Sequence, residues 1–256
     1  MTILYDNIIF GPVHSRRLGL SLGVNLLPLD CKLCSFNCIS CECGWTKGGL
    51  SPRFNDKDEV LRRLEEKLSE MVAEGTPPDV LTFAGNGEPT MHPHFEEVVD
   101  GVIALRDRLC PEAKVSVLSN ATMLSRESVR RALLRVDNPI LKLDSAFDAT
   151  VRLIDKPMGH YSVAEVVEWL RFFGKRCVVQ TMFLRGTFEG QVVDNTTPEE
   201  VEAWLGLIGQ IGPRSVMVYT IDRDTPAPDL HKVSVSELNA IAERVRALGV
   251  ECSVAG

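Results

Sequence analysis

The sequence alternates between short aliphatic runs and longer segments with helical periodicity, and this alternation limits the fold more than any other feature. Strand-like runs lie at 79–84, 114–118, 139–143, 177–183 and 215–220, with a further strand inside 18–27. Helical patterns lie at 56–74, 93–109, 125–136, 162–173, 198–208 and 234–248. Strands that alternate with helices form βαβ units around a parallel sheet. Because a closed barrel needs eight such units, these six predict an α/β fold that is either a partial (β/α)6 TIM-like barrel or an open doubly wound sheet.

The chain length and the net charge limit the classes of protein to which this sequence can belong. The 256 residues are enough for one large domain, and we expect a single domain over 1–256. The formal net charge of −7 lacks the basic excess that is typical of nucleic-acid binders. The sequence has no apolar run of membrane-spanning length and no signal-peptide pattern at residues 1–19. These features predict a cytoplasmic protein with no membrane partner.

Five of the eight cysteines lie between Cys31 and Cys43. Cys31 with Cys34, and Cys38 with Cys41, form two C-x2-C pairs. Zinc ribbons separate such pairs by roughly fifteen residues or more, so the short spacing here disfavours a structural zinc site. One interpretation is an iron–sulfur cluster on four cysteines including Cys31. The other is a C-x3-C-x2-C motif of Cys34, Cys38 and Cys41, which leaves Cys31 and Cys43 as spare loop thiols or as helpers in cluster assembly.

A second motif follows the strand-like run at 79–84. Its sequence is Gly85-Asn86-Gly87-Glu88-Pro89, which places two glycines and a carboxylate at the end of a strand. Glycine lets the backbone approach a ligand closely, and α/β barrels carry their chemistry at the carboxyl ends of strands. Taken alone, the motif is also compatible with an ordinary tight turn.

Together the two motifs resemble the radical S-adenosylmethionine (radical SAM) superfamily. The spacing of Cys34, Cys38 and Cys41 resembles the signature of that superfamily, and Gly85 to Glu88 is similar to its Gly-Gly-Glu element with Asn86 inserted. The resemblance implies a [4Fe–4S] cluster on these three cysteines, with S-adenosylmethionine (SAM) on the open iron. It implies an enzyme that cleaves SAM reductively to a 5′-deoxyadenosyl radical, which abstracts a hydrogen atom from a substrate. A reductant such as flavodoxin or ferredoxin is the implied electron donor.

The same resemblance suggests which residues bind SAM. Ser40 stands where the family usually has an aromatic residue, Glu88 is the expected acceptor for the amino group of SAM, and the polar residues after the strand at 114–118 are expected near the cofactor. The predicted set is Ser40, Gly85, Asn86, Gly87, Glu88, Ser119 and Asn120. Residues 28–50 form the predicted cluster-binding loop, and 1–17 an N-terminal extension.

Polar residues at later strand ends are candidates for catalysis or substrate contact. Lys142 and Asp144 flank the end of one strand, and Tyr219 and Arg223 follow the last predicted strand. His14, which is followed by Arg16 and Arg17, is either part of a solvated basic turn or an anion contact near the cluster.

The segment 10–25, FGPVHSRRLGLSLGVN, resembles a branch loosely related to the wyosine tRNA-modifying enzymes. This resemblance suggests tRNA as the substrate; the alternatives are a peptide or protein and a small molecule. A glycyl-radical activase or peptide-modifying enzyme is the second interpretation. The third is a non-enzymatic iron–sulfur electron carrier or scaffold, which needs the cysteines but not Gly85, Gly87 or Glu88.

Overall fold

The main sheet combines one antiparallel hairpin with a series of parallel strands. The computed structural model describes residues 3–15, 18–46 and 53–256. Strands within these ranges are β1 (Ile9–Ser15), β2 (Gly19–Val24), β3 (Val80–Phe83), β4 (Lys114–Ser119), β5 (Asn138–Lys142), β6 (Val178–Met182), β7 (Leu184–Phe188), β8 (Gln191–Asp194), β9 (Ser215–Tyr219), β10 (Leu230–Lys232) and β11 (Glu251–Ala255). The main sheet has the order β1-β2-β3-β4-β5-β6-β9-β11, antiparallel at β1/β2 and parallel from β2 onward. It curls into an open half-barrel, and β10-β7-β8 form a separate small antiparallel sheet.

Helices connect the parallel strands. They are α1 (Lys57–Ala73), α2 (Phe95–Leu109), α3 (Glu127–Leu133), α4 (Asp148–Ile154), α5 (Val163–Phe173), α6 (Pro198–Ile211) and α7 (Val235–Ala247). Helix α1 shows how the sequence specifies them. The Asp56 side chain accepts the backbone N–H groups of Asp58 and Glu59 and so begins the helix. A buried apolar stripe with spacings of three and four residues, including Val60 and Leu64, then packs on the sheet.

The two faces of the half-barrel differ in composition. Leu22, Leu81 and Phe83 join the hydrophobic core that the sheet shares with the helices. Ser21 and Thr82 alternate with them along the strands, so their side chains project from the opposite, inner face. The hydroxyls of these two residues hydrogen-bond each other at 2.8 Å and line a cavity there. The inner face is therefore polar enough to receive a ligand.

The predicted half-barrel is confirmed, with six β/α units in the expected order. The structure adds elements that the periodicity did not indicate: β1, helix α4, the small sheet, and a seventh parallel strand, β11. Helix α6 extends to Ile211, three residues beyond the predicted end, where Gly212 adopts a left-handed conformation and ends it. No helix in the described ranges is both long and apolar enough to cross a bilayer.

Candidate cofactor site

The cysteine loop pairs with the glycine turn at the carboxyl end of β3. Leu33 donates its backbone N–H to the Asn86 carbonyl at 2.8 Å, and its own carbonyl accepts the N–H of Glu88 at 3.1 Å. Gly87 makes this pairing possible. Its φ is +141°, and a Cβ added at this position would lie 1.9 Å from the Leu33 carbonyl oxygen. The second glycine of the motif is therefore required by the loop that packs against it.

The other side of the cysteine loop rests on the segment that follows α4. Phe36 forms a bridge with Pro157, and Asn37 donates its backbone N–H to the Asp155 carbonyl at 3.0 Å. Ile39 donates likewise to the Ile154 carbonyl at 2.9 Å. Phe36 and Ile39 are both buried. Backbone pairing on two sides thus fixes the loop across the strand ends.

Hydrogen-bond donors surround the sulfur atoms of the loop. The Cys34 Sγ accepts the Phe36 backbone N–H at 3.4 Å and the Asn120 side-chain amide at 3.6 Å. Lys32 is buried, and its ammonium group donates to the Gly44 carbonyl at 3.0 Å. Burial lowers the pKa of Lys32, but the nearby sulfurs of Cys41, Cys34 and Cys38 outweigh burial and raise it. An ammonium group held among three thiols is suited to balancing the charge of thiolates.

The thiols of this loop differ in acidity. Burial raises the pKa of Cys34 to about 12 and that of Cys38 well above its ordinary value. The pKa of Cys41 is lowered to about 5, first because it accepts a hydrogen bond from Cys43 and then through Lys32. Sequence reasoning did not anticipate that Cys43 contacts Cys41.

The sulfur ligands of this loop fit an iron–sulfur cluster. Among the residues that the structure describes, no three His, Cys, Asp or Glu side chains gather closely enough to share one metal ion. Cysteines that bind different irons of a four-iron cube stand farther apart than ligands of one zinc ion, which all lie about 2.3 Å from it. Three thiols on one short loop, with N–H and ammonium donors beside them, fit a [4Fe–4S] group. Cys31 is buried in the same loop.

Glu88 links the glycine turn to the end of β4. Its buried carboxylate accepts the Asn120 backbone N–H at 2.7 Å, the Ser119 hydroxyl at 2.8 Å and the Thr90 backbone N–H at 3.1 Å. The Thr90 hydroxyl also donates to it. Burial raises the pKa of Glu88, and these hydrogen bonds oppose the rise. The structure therefore brings together Glu88, Ser119 and Asn120, which the sequence placed in one site.

Asn86 is bonded within the chain through both its side chain and its backbone. It is fully buried, and its side chain bonds to Tyr5 and Pro28 within the chain. Its backbone N–H and carbonyl are bonded to Asn25 and Leu33. The Asn86 side chain therefore holds the N-terminal segment, and a contact between Asn86 and SAM stays a prediction.

The remaining members of the predicted set lie in the same region. Gly85 has a φ of +129°, and a Cβ there would lie 2.5 Å from the Asn25 Oδ1. The Cys43 Sγ lies 3.4 Å from the Gly85 carbonyl oxygen, so the first glycine also contacts the cysteine loop. Ser40 is buried between Ile39 and Cys41.

Lys142 belongs to a buried ion cluster that is larger than predicted. Its ammonium group contacts the Asp144 carboxylate and lies 3.4 Å from the Asp155 carboxylate. Burial lowers the pKa of Lys142, but the two carboxylates outweigh it and hold that pKa well above its ordinary value. Burial also raises the pKa of Asp155, whose side chain contacts Cys38. Sequence reasoning missed Asp155 because it follows α4, a helix with a weak pattern.

The other two catalytic candidates are separated from each other. Tyr219 ends β9 and interacts electrostatically with Lys142. Arg223 is half-exposed, pairs with Glu42 at 3.0 Å and donates a hydrogen bond to the Tyr5 hydroxyl. Lys142, Asp144 and Tyr219 thus form one group, whereas Arg223 joins the N-terminal segment.

A cavity of about 280 Å³ lies between that segment and the inner face of the sheet. Its wall includes Tyr5 and His14 on one side, Thr82 and Ala84 on another, and Arg223 at the rim. Arg16 and Arg17, which were considered with His14, lie outside the described residues.

The Radical SAM superfamily pattern matches residues 30–195, a range that contains both the cysteine loop and the glycine turn. A UPF0026 protein of Methanocaldococcus jannaschii is 31% identical over 191 residues, which make up 74% of this chain and 53% of that protein. The chain therefore spans about half the length of this relative.

Solved structures show a similar fold. A radical SAM methyltransferase from Sphaerobacter thermophilus is 14% identical, with a TM-score of 0.67 over 92% of this chain and 65% of that one. TYW1 with a lysine–pyruvate adduct bound is also 14% identical, with a TM-score of 0.61 over 89% of this chain and 73% of that one. At 14% identity, the likeness to these two structures shows a similar fold and nothing more. The predicted resemblance to the radical SAM superfamily is confirmed by the match over residues 30–195, whereas the resemblance to the wyosine branch stays a prediction.

Proposed function

The chain belongs to the radical SAM superfamily, and we propose on that basis that it is an enzyme holding a [4Fe–4S] cluster on Cys34, Cys38 and Cys41 with SAM bound beside it. Members of this superfamily use both cofactors. When bound, the cluster and SAM supply reductive cleavage of SAM to methionine and a 5′-deoxyadenosyl radical that abstracts a hydrogen atom from the substrate.

One residue carries the proposal. Asn120 donates its backbone N–H to Glu88 at 2.7 Å, and its side-chain amide reaches the Cys34 Sγ at 3.6 Å. It therefore joins the carboxylate after the glycine turn to the first sulfur of the cysteine motif. A cluster on the loop and a cofactor on the turn would be neighbours, which reductive cleavage of SAM requires.

The residues around the cysteine loop and the glycine turn have different roles in this proposal. Lys32 balances thiolate charge, and the N–H donors on Cys34 stabilise its sulfur as an anion. Gly85 and Gly87 let the turn approach the cofactor, and Glu88 accepts the amino group of SAM. The buried Ile39 helps to keep water from the site, which protects a reactive intermediate.

For the substrate, we place Lys142, Asp144 and Tyr219 on the reacting side, because Lys142 and Asp144 form a buried ion pair at the strand ends and Tyr219 interacts electrostatically with Lys142. We propose tRNA as the first substrate class to test, on the resemblance of segment 10–25; the formal net charge of −7, which lacks the basic excess of nucleic-acid binders, counts against it. Binding that weakens with salt supports it, since phosphate contacts release counterions. If no tRNA shifts the protein at low salt, a peptide or small-molecule substrate replaces it.

Anaerobic reconstitution tests the reaction class. The wild type should take up four irons per chain and, with SAM and a reductant, produce 5′-deoxyadenosine. Cys34→Ala should lose the cluster, while Cys177→Ala, a change at a buried core cysteine, should keep it. A fully loaded wild type that produces no 5′-deoxyadenosine would leave the electron-carrier interpretation in place of the enzyme.

A substitution at Glu88 tests SAM binding while the cysteines of the cluster stay unchanged. Glu88→Gln keeps the size of the side chain but removes the charge that accepts an ammonium group. Cluster content should stay at the wild-type level, and SAM should bind at least tenfold more weakly, a difference of about 1.4 kcal/mol. If Glu88→Gln and the wild type bind SAM with equal affinity, Glu88 does not bind the cofactor.

A further inference from the structure

Asn86 is bonded through every polar group that it has. Its Oδ1 accepts the Tyr5 N–H at 2.8 Å, and its Nδ2 donates to the Tyr5 and Pro28 carbonyls, both at 2.8 Å. Its backbone N–H reaches the Asn25 Oδ1 at 3.3 Å, and its carbonyl accepts the Leu33 N–H at 2.8 Å. The residue is fully buried. A single amide therefore joins the N-terminal segment, the start of the cysteine loop and the glycine turn.

The turn is fixed from two directions. Asn86 ties one end to Tyr5, and Glu88, two residues later, ties the other end to Ser119 and Asn120. Gly87, which lies between Asn86 and Glu88, has no side chain that could form a further bond. The conformation of the turn therefore depends on both anchors, and only one of them is part of the half-barrel itself.

The anchor between Asn86 and Tyr5 also shapes the cavity. The Tyr5 ring stacks on Phe10 at a centroid distance of 3.9 Å, and the Phe10 ring covers Gly23, where a Cβ would lie 2.1 Å from it. The Tyr5 hydroxyl accepts a hydrogen bond from Arg223, which pairs with Glu42 beside Cys41. Movement of Tyr5 would change the turn, the cavity wall and the cysteine loop together.

We infer that Asn86 is a positioning residue for the SAM site: it transmits the placement of the N-terminal segment to the Gly85–Glu88 turn and so sets the affinity for SAM. This inference rests on the proposed function. It also accounts for a side chain between the two glycines, because an amide at this position can bond both the N–H and the carbonyl of one residue.

The chain offers a matched control beyond the carboxyl ends of β5 and β6. Asn195 is equally buried, and its Oδ1 accepts the Leu184 N–H at 2.9 Å. Its Nδ2 donates to the Asp144 and Met182 carbonyls at 2.9 and 2.8 Å. Its side chain therefore makes the same three kinds of hydrogen bond as Asn86, without contact to the glycine turn.

The experiment compares Asn86→Ala with Asn195→Ala in cluster-loaded protein. Asn86→Ala should retain the iron content of the wild type, bind SAM about tenfold more weakly, and show a reduced change in the electron paramagnetic resonance spectrum of its cluster when SAM is added. In the cluster-free protein, hydrogen exchange at residues 3–8 should speed up in Asn86→Ala alone. Asn195→Ala should match the wild type in SAM affinity.

Two results would overturn the inference: Asn86→Ala binding SAM within twofold of the wild type, or both variants losing affinity equally. If Asn86→Ala does not fold, Tyr5→Pro removes the N–H that Asn86 accepts and leaves the turn sequence intact; the same tenfold loss is expected, and its absence counts against the inference. A loaded wild type that binds no SAM overturns the proposed function as well, whereas a wild type that binds SAM, with Asn86→Ala binding it within twofold, overturns the inference alone.

Discussion

Lys142 and Asp155 form an ion pair at 3.4 Å in the interior, although thirteen positions separate them in the chain. Asp144 contacts the same ammonium group. Two buried carboxylates thus depend on one cation, and each of them has an oxygen without another hydrogen-bond donor among the described residues.

We therefore predict that Lys142→Ala lowers the free energy of unfolding by about 3–5 kcal/mol, because it leaves buried carboxylates uncompensated. Urea denaturation at neutral pH measures the change. Lys114→Ala is the matched control, since Lys114 is exposed and pairs with Asp137 at 3.8 Å; it should cost less than about 1 kcal/mol. Equal effects of the two changes would contradict the buried ion cluster.

Gly87→Ala should disrupt the pairing of the cysteine loop with the turn. A Cβ at this position would lie 1.9 Å from the Leu33 carbonyl oxygen, and backbone atoms cannot yield as a flexible side chain can. We expect a loss of several kcal/mol in unfolding free energy and failure to reconstitute the cluster. Gly75→Ala isolates backbone strain, because Gly75 also has positive φ but no atom within 4 Å of the added carbon. It should cost about 1 kcal/mol and leave cluster uptake unchanged.

Asp137 should contribute stability that disappears in acid. Burial raises its pKa, but the Val115 N–H at 2.8 Å and the Arg106 guanidinium at 2.9 Å outweigh burial and lower it. A carboxylate with a lowered folded-state pKa stabilises the fold above its unfolded pKa of about 3.9, and this contribution is lost as pH falls through the folded pKa. Asp137→Asn should therefore cost about 1–2 kcal/mol at neutral pH and approach zero cost well below pH 4. A cost that does not change with pH would rule out the charge as its source.

Cys43→Ala should raise the pKa of Cys41 from about 5 toward the ordinary thiol range, because the hydrogen bond from Cys43 is the largest cause of its lowering. Alkylation of Cys41 in cluster-free protein, followed by mass spectrometry across pH, measures the shift. Cys110→Ala serves as the control, since Cys110 caps the end of α2 outside this loop. If the pH profile of Cys41 alkylation is unchanged in Cys43→Ala, the lowered pKa of Cys41 is due to Lys32 instead.

Much of the fold could be predicted from the sequence because its information is local. Periodicity placed six strands and six helices in the right order, and the caps at Asp56 and Gly212 lie where the chain chemistry requires them. The cysteine spacing and the glycines with Glu88 identified the two segments that meet at the strand ends. Each of these signals depends on residues within a few positions of one another, and the meaning of the cysteine and glycine motifs came from their resemblance to the radical SAM superfamily.

Other features were decided only by the tertiary structure. The partners of Asn86 lie at Tyr5 and Pro28, 81 and 58 positions away, and Asp155 approaches Lys142 only when α4 folds back beneath the cysteine loop. The sequence therefore determined a half-barrel with a cysteine loop and a glycine turn. Curling of the sheet decided which side chains anchor these two segments, because hydrogen bonds between distant residues form only when the strand ends converge.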